Sequence, residues 1–111
     1  MTQLEAMALT FILEAGVATA LAAAFGRGVL MCAAAAVAGS TVTHPILWAV
    51  FYDVQAAYGD LATPVLEAAV IVAETLAYRA LATPRWDEAA LFSVLANAVS
   101  WWAGEAIYAL T

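Results

Sequence analysis

The feature that most constrains the fold of this chain is a series of four apolar stretches separated by short polar breaks. The stretches cover about residues 4–25, 29–51, 64–82 and 89–110 of the 111 residues. An α-helix needs about 20 apolar residues to cross the roughly 30 Å hydrocarbon core of a bilayer. Each stretch is close to that length. We therefore expect an all-α fold, an integral membrane four-helix bundle that forms a single domain over residues 1–111.

The amino-acid composition also favours a lipid bilayer around these helices. Hydrophobic residues make up 67% of the chain and charged residues only 11%. A soluble domain has about a quarter of its residues charged, because polar groups must cover its surface. A surface that faces the lipid bilayer removes that requirement. The net charge of −6 also argues against nucleic acid as a partner, since nucleic-acid binding depends on basic patches.

The breaks predict two helical hairpins with the same orientation. Residues 26–28 contain two glycines around one arginine and predict a tight first turn, residues 52–63 a longer loop, and residues 83–88 a third turn. Thr63-Pro64 is typical of a helix start, because proline fits the first helical turn. The two halves resemble each other weakly, and a parallel internal repeat about an axis along the membrane normal is one interpretation.

The basic residues predict an orientation. The sequence has no lysine, and its three arginines, Arg27, Arg79 and Arg85, lie at the first and third turns. Cytoplasmic loops of membrane proteins carry an excess of basic residues. We therefore expect these turns in the cytoplasm and both termini outside, in a bacterial or archaeal plasma membrane. The first stretch lacks the basic start of a signal peptide and contains two glutamates, so we expect it to be a membrane span.

Polar residues inside the apolar stretches mark the candidate site, because ionisable groups are costly in a bilayer and are usually functional there. At 1.5 Å per residue, two carboxyl groups fall near mid-membrane. The predicted substrate- or ion-binding residues are Glu14, His44, Glu67, Glu74, Asn97 and Ser100. If the helix faces that carry them converge, they form a polar pocket that opens to the outside, with Glu14 and Glu74 near its floor. The alternative is that these two carboxyl groups are neutral and only hold the helices together.

The second stretch contains Thr43-His44-Pro45, with Thr41, His44 and Trp48 expected on one helix face. Pro45 lacks a backbone N–H and predicts a kink that leaves the carbonyl of Thr41 without its helical partner. His44 has three open interpretations: a packing histidine, a proton-titrating member of the pocket, or a ligand. One histidine excludes a paired-histidine metalloprotease site, and haem would need a second axial ligand. We expect no enzyme activity and no cofactor, and we leave a metal open.

The chain length, the four stretches and Glu14 within residues 12–16 resemble the small multidrug resistance transporters. The resemblance implies an antiparallel dimer in which the first-helix glutamate exchanges protons for cationic drugs. The chain departs from that family in the third stretch, which carries Glu67 and Glu74 in place of an aromatic and glycine-rich packing segment. His44-Pro45 has no counterpart there, and the arginine distribution favours one orientation. Residues 40–48 and 95–101 also resemble uncharacterised bacterial four-helix membrane proteins, which implies no function.

Two functions follow as hypotheses. The first is a small transporter or channel-like protein, linked to protons or cations, that works as a homo-oligomer because four helices can scarcely enclose a pathway alone. Glu14 and Glu74 would bind the proton or cation. The alternative is an accessory subunit of a larger membrane complex, in which the polar groups dock partner helices, lipid, quinone or pigment.

Overall fold

The protein is all-α and contains four long helices. A computed structural model describes residues 2–110, without the side chain of Tyr108. The helices are α1 (Gln3–Phe25), α2 (Val29–Tyr58), α3 (Ala62–Leu81) and α4 (Trp86–Leu110), with one 3₁₀ turn at Gly59–Leu61. Each helix packs against two neighbours, in the order α1, α2, α3, α4 and back to α1. The bundle measures 42 × 27 × 18 Å.

A side-chain cap starts α1, because the backbone N–H of Glu5 donates to Thr2 Oγ1 at 3.1 Å.

The turn that follows α1 is as tight as its glycines predict. Gly26 ends α1 with φ of +69°, a left-handed conformation that glycine adopts without a steric penalty. The N–H of Arg27 then donates to the carbonyl of Ala22 at 2.8 Å. This cap reverses the chain within three residues.

The predicted loop over residues 52–63 is wrong. α2 continues to Tyr58, and Gly59, with φ of +61°, ends it by donating to the carbonyl of Gln55. The segment after Asp53 consists mainly of residues that favour helices, and one exposed aspartate does not break a helix. α3 begins at Ala62, so Pro64 lies within its first turn, where the backbone N–H groups have no helical partner anyway. With 30 residues, α2 is about 45 Å long.

The third turn is fastened to the first by an ion pair. Arg27 donates to both carboxylate oxygens of Glu88, from Nε at 2.9 Å and from Nη2 at 2.5 Å. Glu88 lies in the first turn of α4, where a helix favours negative charge. The bond from the Arg27 guanidinium holds the pKa of the Glu88 carboxyl below its usual range. Arg85 and Asp87 form a second ion pair at 2.7 Å on the exposed side of this turn.

An apolar plug closes the bundle at the end that carries the arginine turns. Its members are buried side chains from all four helices: Ala18, Ala22, Cys32, Ala35, Ala36, Tyr78, Ala89 and Phe92. The rings of Tyr78 and Phe92 meet edge to face with their centroids 5.7 Å apart. Alanines let the first two helices approach closely, and the two aromatic rings fill the remaining space.

The outer surface of the bundle is strongly apolar. Leu30, Ile12 and Trp102 are 81%, 70% and 71% exposed, and many other large apolar side chains share this position. Two helical stretches among residues 2–110 are long and apolar enough to cross a membrane, Gln3–Phe25 and Val29–Leu81, the second of which contains both α2 and α3. Pro45 lies inside α2, which continues on both sides of it, and the kink stays a prediction.

Candidate functional site

A cavity of about 300 Å³ lies between the four helices, at the end opposite the arginine turns. It is lined by the first half of α1, the middle of α2, residues 67–74 of α3 and the second half of α4. Glu14, Ser40, Glu74 and Asn97 lie deepest, next to the apolar plug. Eight residues of α1 separate Ala6 at the rim from Glu14, which makes the cavity roughly 12 Å deep.

Two buried carboxyl groups, Glu14 and Glu74, form the floor of the cavity, and we call them the carboxyl pair. They are 1% and 2% exposed. The Ser40 hydroxyl lies between them and contacts both Glu14 Oε2 and, at 3.1 Å, Glu74 Oε1. Ser100 donates to Glu14 Oε1 at 3.2 Å from the opposite side. Hydroxyl groups from α2 and α4 therefore hold the acid of α1.

Glu74 is held by an amide as well as by hydroxyl groups. Asn97 Nδ2 donates to Glu74 Oε2 and, at 2.8 Å, to the carbonyl of Ser93. Because a side-chain amide nitrogen carries two hydrogens, it makes both bonds at once. Thr43 Oγ1 lies 2.9 Å from the Gly39 carbonyl and 3.3 Å from Glu74 Oε1. All four oxygens of the carboxyl pair therefore have partners.

The number of hydrogens at the floor constrains the charge of the carboxyl pair. The Ser40 hydroxyl has one hydrogen to donate but contacts a carboxyl oxygen on each side. An ionised carboxylate can only accept, so both contacts become hydrogen bonds only if one carboxyl is protonated and donates to Ser40 Oγ. Two adjacent negative charges would also repel each other. The arrangement therefore fits a carboxyl pair that holds at least one proton.

The rest of the described cavity lining adds two carboxyl groups and no lysine or arginine. Glu67 and Glu105 line its upper part. The three arginines lie at the opposite end: two bond to acidic residues, and the guanidinium carbon of Arg79 lies 5.2 Å from the centre of the Trp86 ring. The cavity thus has four carboxyl groups and, in the described part of the chain, no lysine or arginine. Only protons or bound cations can balance that charge.

The geometry of His44 favours the packing interpretation. Its Nε2 lies 2.8 Å from Trp48 Nε1, and an indole N–H can only donate. Nε2 must therefore accept, which makes the imidazole neutral with its proton on Nδ1. The same bond occupies Nε2, one of the two ring nitrogens that can bind a metal. No group of three or more histidine, cysteine, aspartate or glutamate side chains suited to a metal ion occurs within residues 2–110.

The structure brings all six predicted site residues to this one cavity: Glu14, His44, Glu67, Glu74, Asn97 and Ser100 line it. The predicted face of α2 is wrong at Thr41, which points outward and donates to the Val37 carbonyl at 2.7 Å. Ser40 and Thr43 occupy the cavity side instead. The sequence did carry a signal for Ser40, because the spacing from Glu14 to Ser40 equals that from Glu74 to Ser100.

Comparison with protein-family models, with curated proteins and with solved structures found no match. The function therefore has to be argued from the cavity and its surroundings.

Proposed function

We propose that this chain is an integral membrane protein whose four helices span the bilayer and whose cavity binds protons or cations. In this proposal it acts as a small transporter or channel-like protein assembled from identical subunits. The observation that carries the proposal is the carboxyl pair, buried at the floor of a cavity whose described lining contains no lysine or arginine. A binding site with unbalanced negative charge in a dry environment attracts positive ions strongly.

The surface supports a membrane location. Only 17% and 28% of the residues in the most apolar parts of Gln3–Phe25 and Val29–Leu81 are buried within the bundle. A helix in the core of a soluble protein would be mostly buried, whereas a lipid-facing helix exposes apolar side chains to acyl chains. The arginines lie at one end of the bundle, so the positive-inside rule favours a cytoplasmic location for that end and an outward-facing cavity.

The apolar plug implies that transport requires either helix movement or the assembly of several subunits. The plug fills the bundle below the carboxyl pair with alanine, cysteine and aromatic side chains. The cavity therefore opens at one end only, and ions reach the other side only if the helices move or if subunits form a pathway together. A carboxyl site that is reached from one side at a time is what coupled transport requires.

One observation favours the alternative, an accessory subunit of a larger membrane complex. α2 is about 45 Å long, longer than the roughly 30 Å core of a bilayer, and its last turns carry the exposed aromatic side chains Tyr52 and Tyr58. Aromatic side chains are enriched where proteins meet partners. In this alternative the projecting end of α2 docks a partner, and the carboxyl pair stabilises the assembly.

Flux measurements on purified protein in liposomes test the first function. The probes are protons, reported by a pH-sensitive dye inside the vesicles, and Na⁺, K⁺ and tetraphenylphosphonium. We expect wild-type protein to pass at least one probe faster than empty vesicles, and Glu14→Gln and Glu74→Gln to abolish that flux. Glu5→Gln is the matched control, because Glu5 is exposed on the same helix as Glu14. Wild-type flux equal to that of empty vesicles for all four probes would refute transport.

Native mass after gentle extraction separates the two functions. A homogeneous assembly of identical chains is expected for the transporter. Migration within a large complex of different chains would overturn it in favour of the accessory subunit, and Glu14→Gln would then weaken assembly.

A further inference from the structure

The hydroxyl of Tyr78 has no hydrogen-bond partner although it is buried. Tyr78 is 1% exposed, and its hydroxyl is one of two buried side-chain polar atoms that lack a partner in the described chain. It lies in the apolar plug, whose other members are alanines, Cys32 and Phe92. A buried polar group without a partner destabilises the fold, and such groups in a folded protein call for a specific explanation.

Packing explains the ring of Tyr78 but not its hydroxyl. The ring meets Phe92 edge to face and fills space that the small side chains of the first hairpin leave empty. Phenylalanine would make the same ring contact without burying an oxygen. When the two hairpins are aligned so that Glu14 matches Glu74, Ala18 matches Tyr78, and Ala18 is also buried. Packing therefore gives the hydroxyl no role, and a partner for it would require another arrangement of the helices.

The surroundings of this hydroxyl indicate which partner that is. The carboxyl pair is the polar group that borders the apolar plug, and Ser40 links its two members. Glu74 lies one helical turn before Tyr78 on α3, on the same face. Cys32, another member of the plug, lies in the first turn of α2, shortly after the arginine turn at Arg27. Tyr78 thus lies between the floor of the cavity and the closed end of the bundle. Among the described residues of the apolar plug, it contributes the only hydroxyl group.

We propose that the Tyr78 hydroxyl relays protons along a path that leads from the carboxyl pair through the apolar plug toward the arginine turns. The proposal rests on the proposed transport function and specifies the proton as an ion that passes the plug. In the step, helix movement brings a protonated carboxyl of the pair within hydrogen-bond distance of Tyr78, and that carboxyl gives its proton to a lone pair of the Tyr78 oxygen. The hydroxyl simultaneously releases its own proton to a water molecule admitted from the arginine-turn side. Tyr78 ends as a neutral phenol, and one positive charge has moved.

Tyr78→Phe tests this path, because it removes one buried oxygen and leaves the ring in place. Proton flux is measured in liposomes with an internal pH-sensitive dye, driven by a valinomycin-imposed potassium potential. We expect Tyr78→Phe to lower the proton flux at least about tenfold, because a positioned proton-transfer group typically contributes about 100-fold or more. Its unfolding temperature in detergent should stay equal to that of the wild type or rise, because the unpaired hydroxyl is gone. Tyr52→Phe is the matched control, since Tyr52 is 77% exposed and its flux should not change.

The outcomes separate this inference from the proposed function. If Tyr78→Phe keeps a proton flux within about twofold of the wild type while Glu14→Gln abolishes it, the path through Tyr78 is refuted and the carboxyl site stands. If the wild type passes a cation but no protons, the transport function stands and the proton path is overturned. If wild-type vesicles pass no probe, both proposals fail. A Tyr78→Phe protein that loses flux only because it unfolds at a lower temperature would also contradict the inference.

Discussion

Gly39→Ala is the substitution that most directly tests how closely α2 packs against Glu74. Gly39 lies on α2 where that helix approaches α3. A Cβ atom at this position would lie 3.0 Å from Glu74 Cγ and 3.6 Å from the Cβ atoms of Glu74 and Ala77. The Glu74 side chain cannot swing away freely, because hydrogen bonds from Asn97 and Ser40 fix its carboxyl group. We therefore expect the added methyl group to move the two helices apart or to displace the carboxyl group.

The magnitude follows from these contacts. Two carbon atoms attract best at about 3.5–4.0 Å, so the contact at 3.0 Å must open by about 0.5 Å or more. Adding a methyl group to a packed interior costs about 1–3 kcal/mol. Alanine in place of glycine inside a helix regains about 1 kcal/mol. The net expectation for Gly39→Ala is a loss of about 0–2 kcal/mol in the free energy of unfolding.

Gly16→Ala supplies the matched control. Gly16 lies mid-helix on α1, and a Cβ atom there would meet nothing within 4 Å. This variant should therefore show the helix-propensity gain alone, about 1 kcal/mol. The assay is equilibrium unfolding in mixed micelles of a mild detergent and dodecyl sulfate, followed by circular dichroism. The expected difference between the two variants is about 1–3 kcal/mol. Equal free energies of unfolding would refute the close approach of α2 to Glu74.

Two further predictions concern the two polar clusters. Ser40→Ala removes the hydroxyl that both Glu14 and Glu74 contact, and should lower the free energy of unfolding in the same assay by about 1–3 kcal/mol; an unchanged value would contradict the shared bond. Glu88→Gln should lower the unfolding temperature at pH 7. Because bonding to Arg27 lowers the folded-state pKa of Glu88, this stabilisation is present above the ordinary glutamate pKa of about 4.3 and is lost as pH falls below it. The gap between wild type and variant should therefore narrow from pH 5 to pH 3, and a constant gap would refute the assignment.

The sequence was sufficient to predict the helices and the faces that carry the acids. Helix identity followed from long apolar runs, which only helices or closed barrels can place in lipid. Glu67 and Glu74 share a face because seven residues make two helical turns. That regularity also explains why polar residues on four helices converge on one cavity. The polar residues that line the cavity lie on the faces that the four helices turn inward.

Two local features could not be read from the sequence with the same rules. The end of α2 was misplaced because Tyr52-Asp53 looked like a boundary, whereas the helix ends only where Gly59 adopts a positive φ. Thr41 was assigned to the cavity because it lies three residues before His44 and seven before Trp48, a spacing that shares one helix face. A hydroxyl group can also donate to a carbonyl of its own helix, as Thr41 does to that of Val37. Which of these neighbours faces inward depends on helix rotation, and packing against α3 determines that rotation.

The hydrogen bonds at the cavity floor join the two hairpins, and this links folding to the proposed function. Glu14 belongs to the first hairpin but accepts a hydrogen bond from Ser100 of the second, and Glu74 of the second hairpin is bonded by Ser40 of the first. Neither acid is therefore fully satisfied until the hairpins associate, so substitutions at the carboxyl pair should alter stability and flux together. The hydroxyl of Tyr78 has no such bond to lose. A loss of flux at Tyr78→Phe without a loss of stability is consequently the one result in this set that a purely structural role cannot produce.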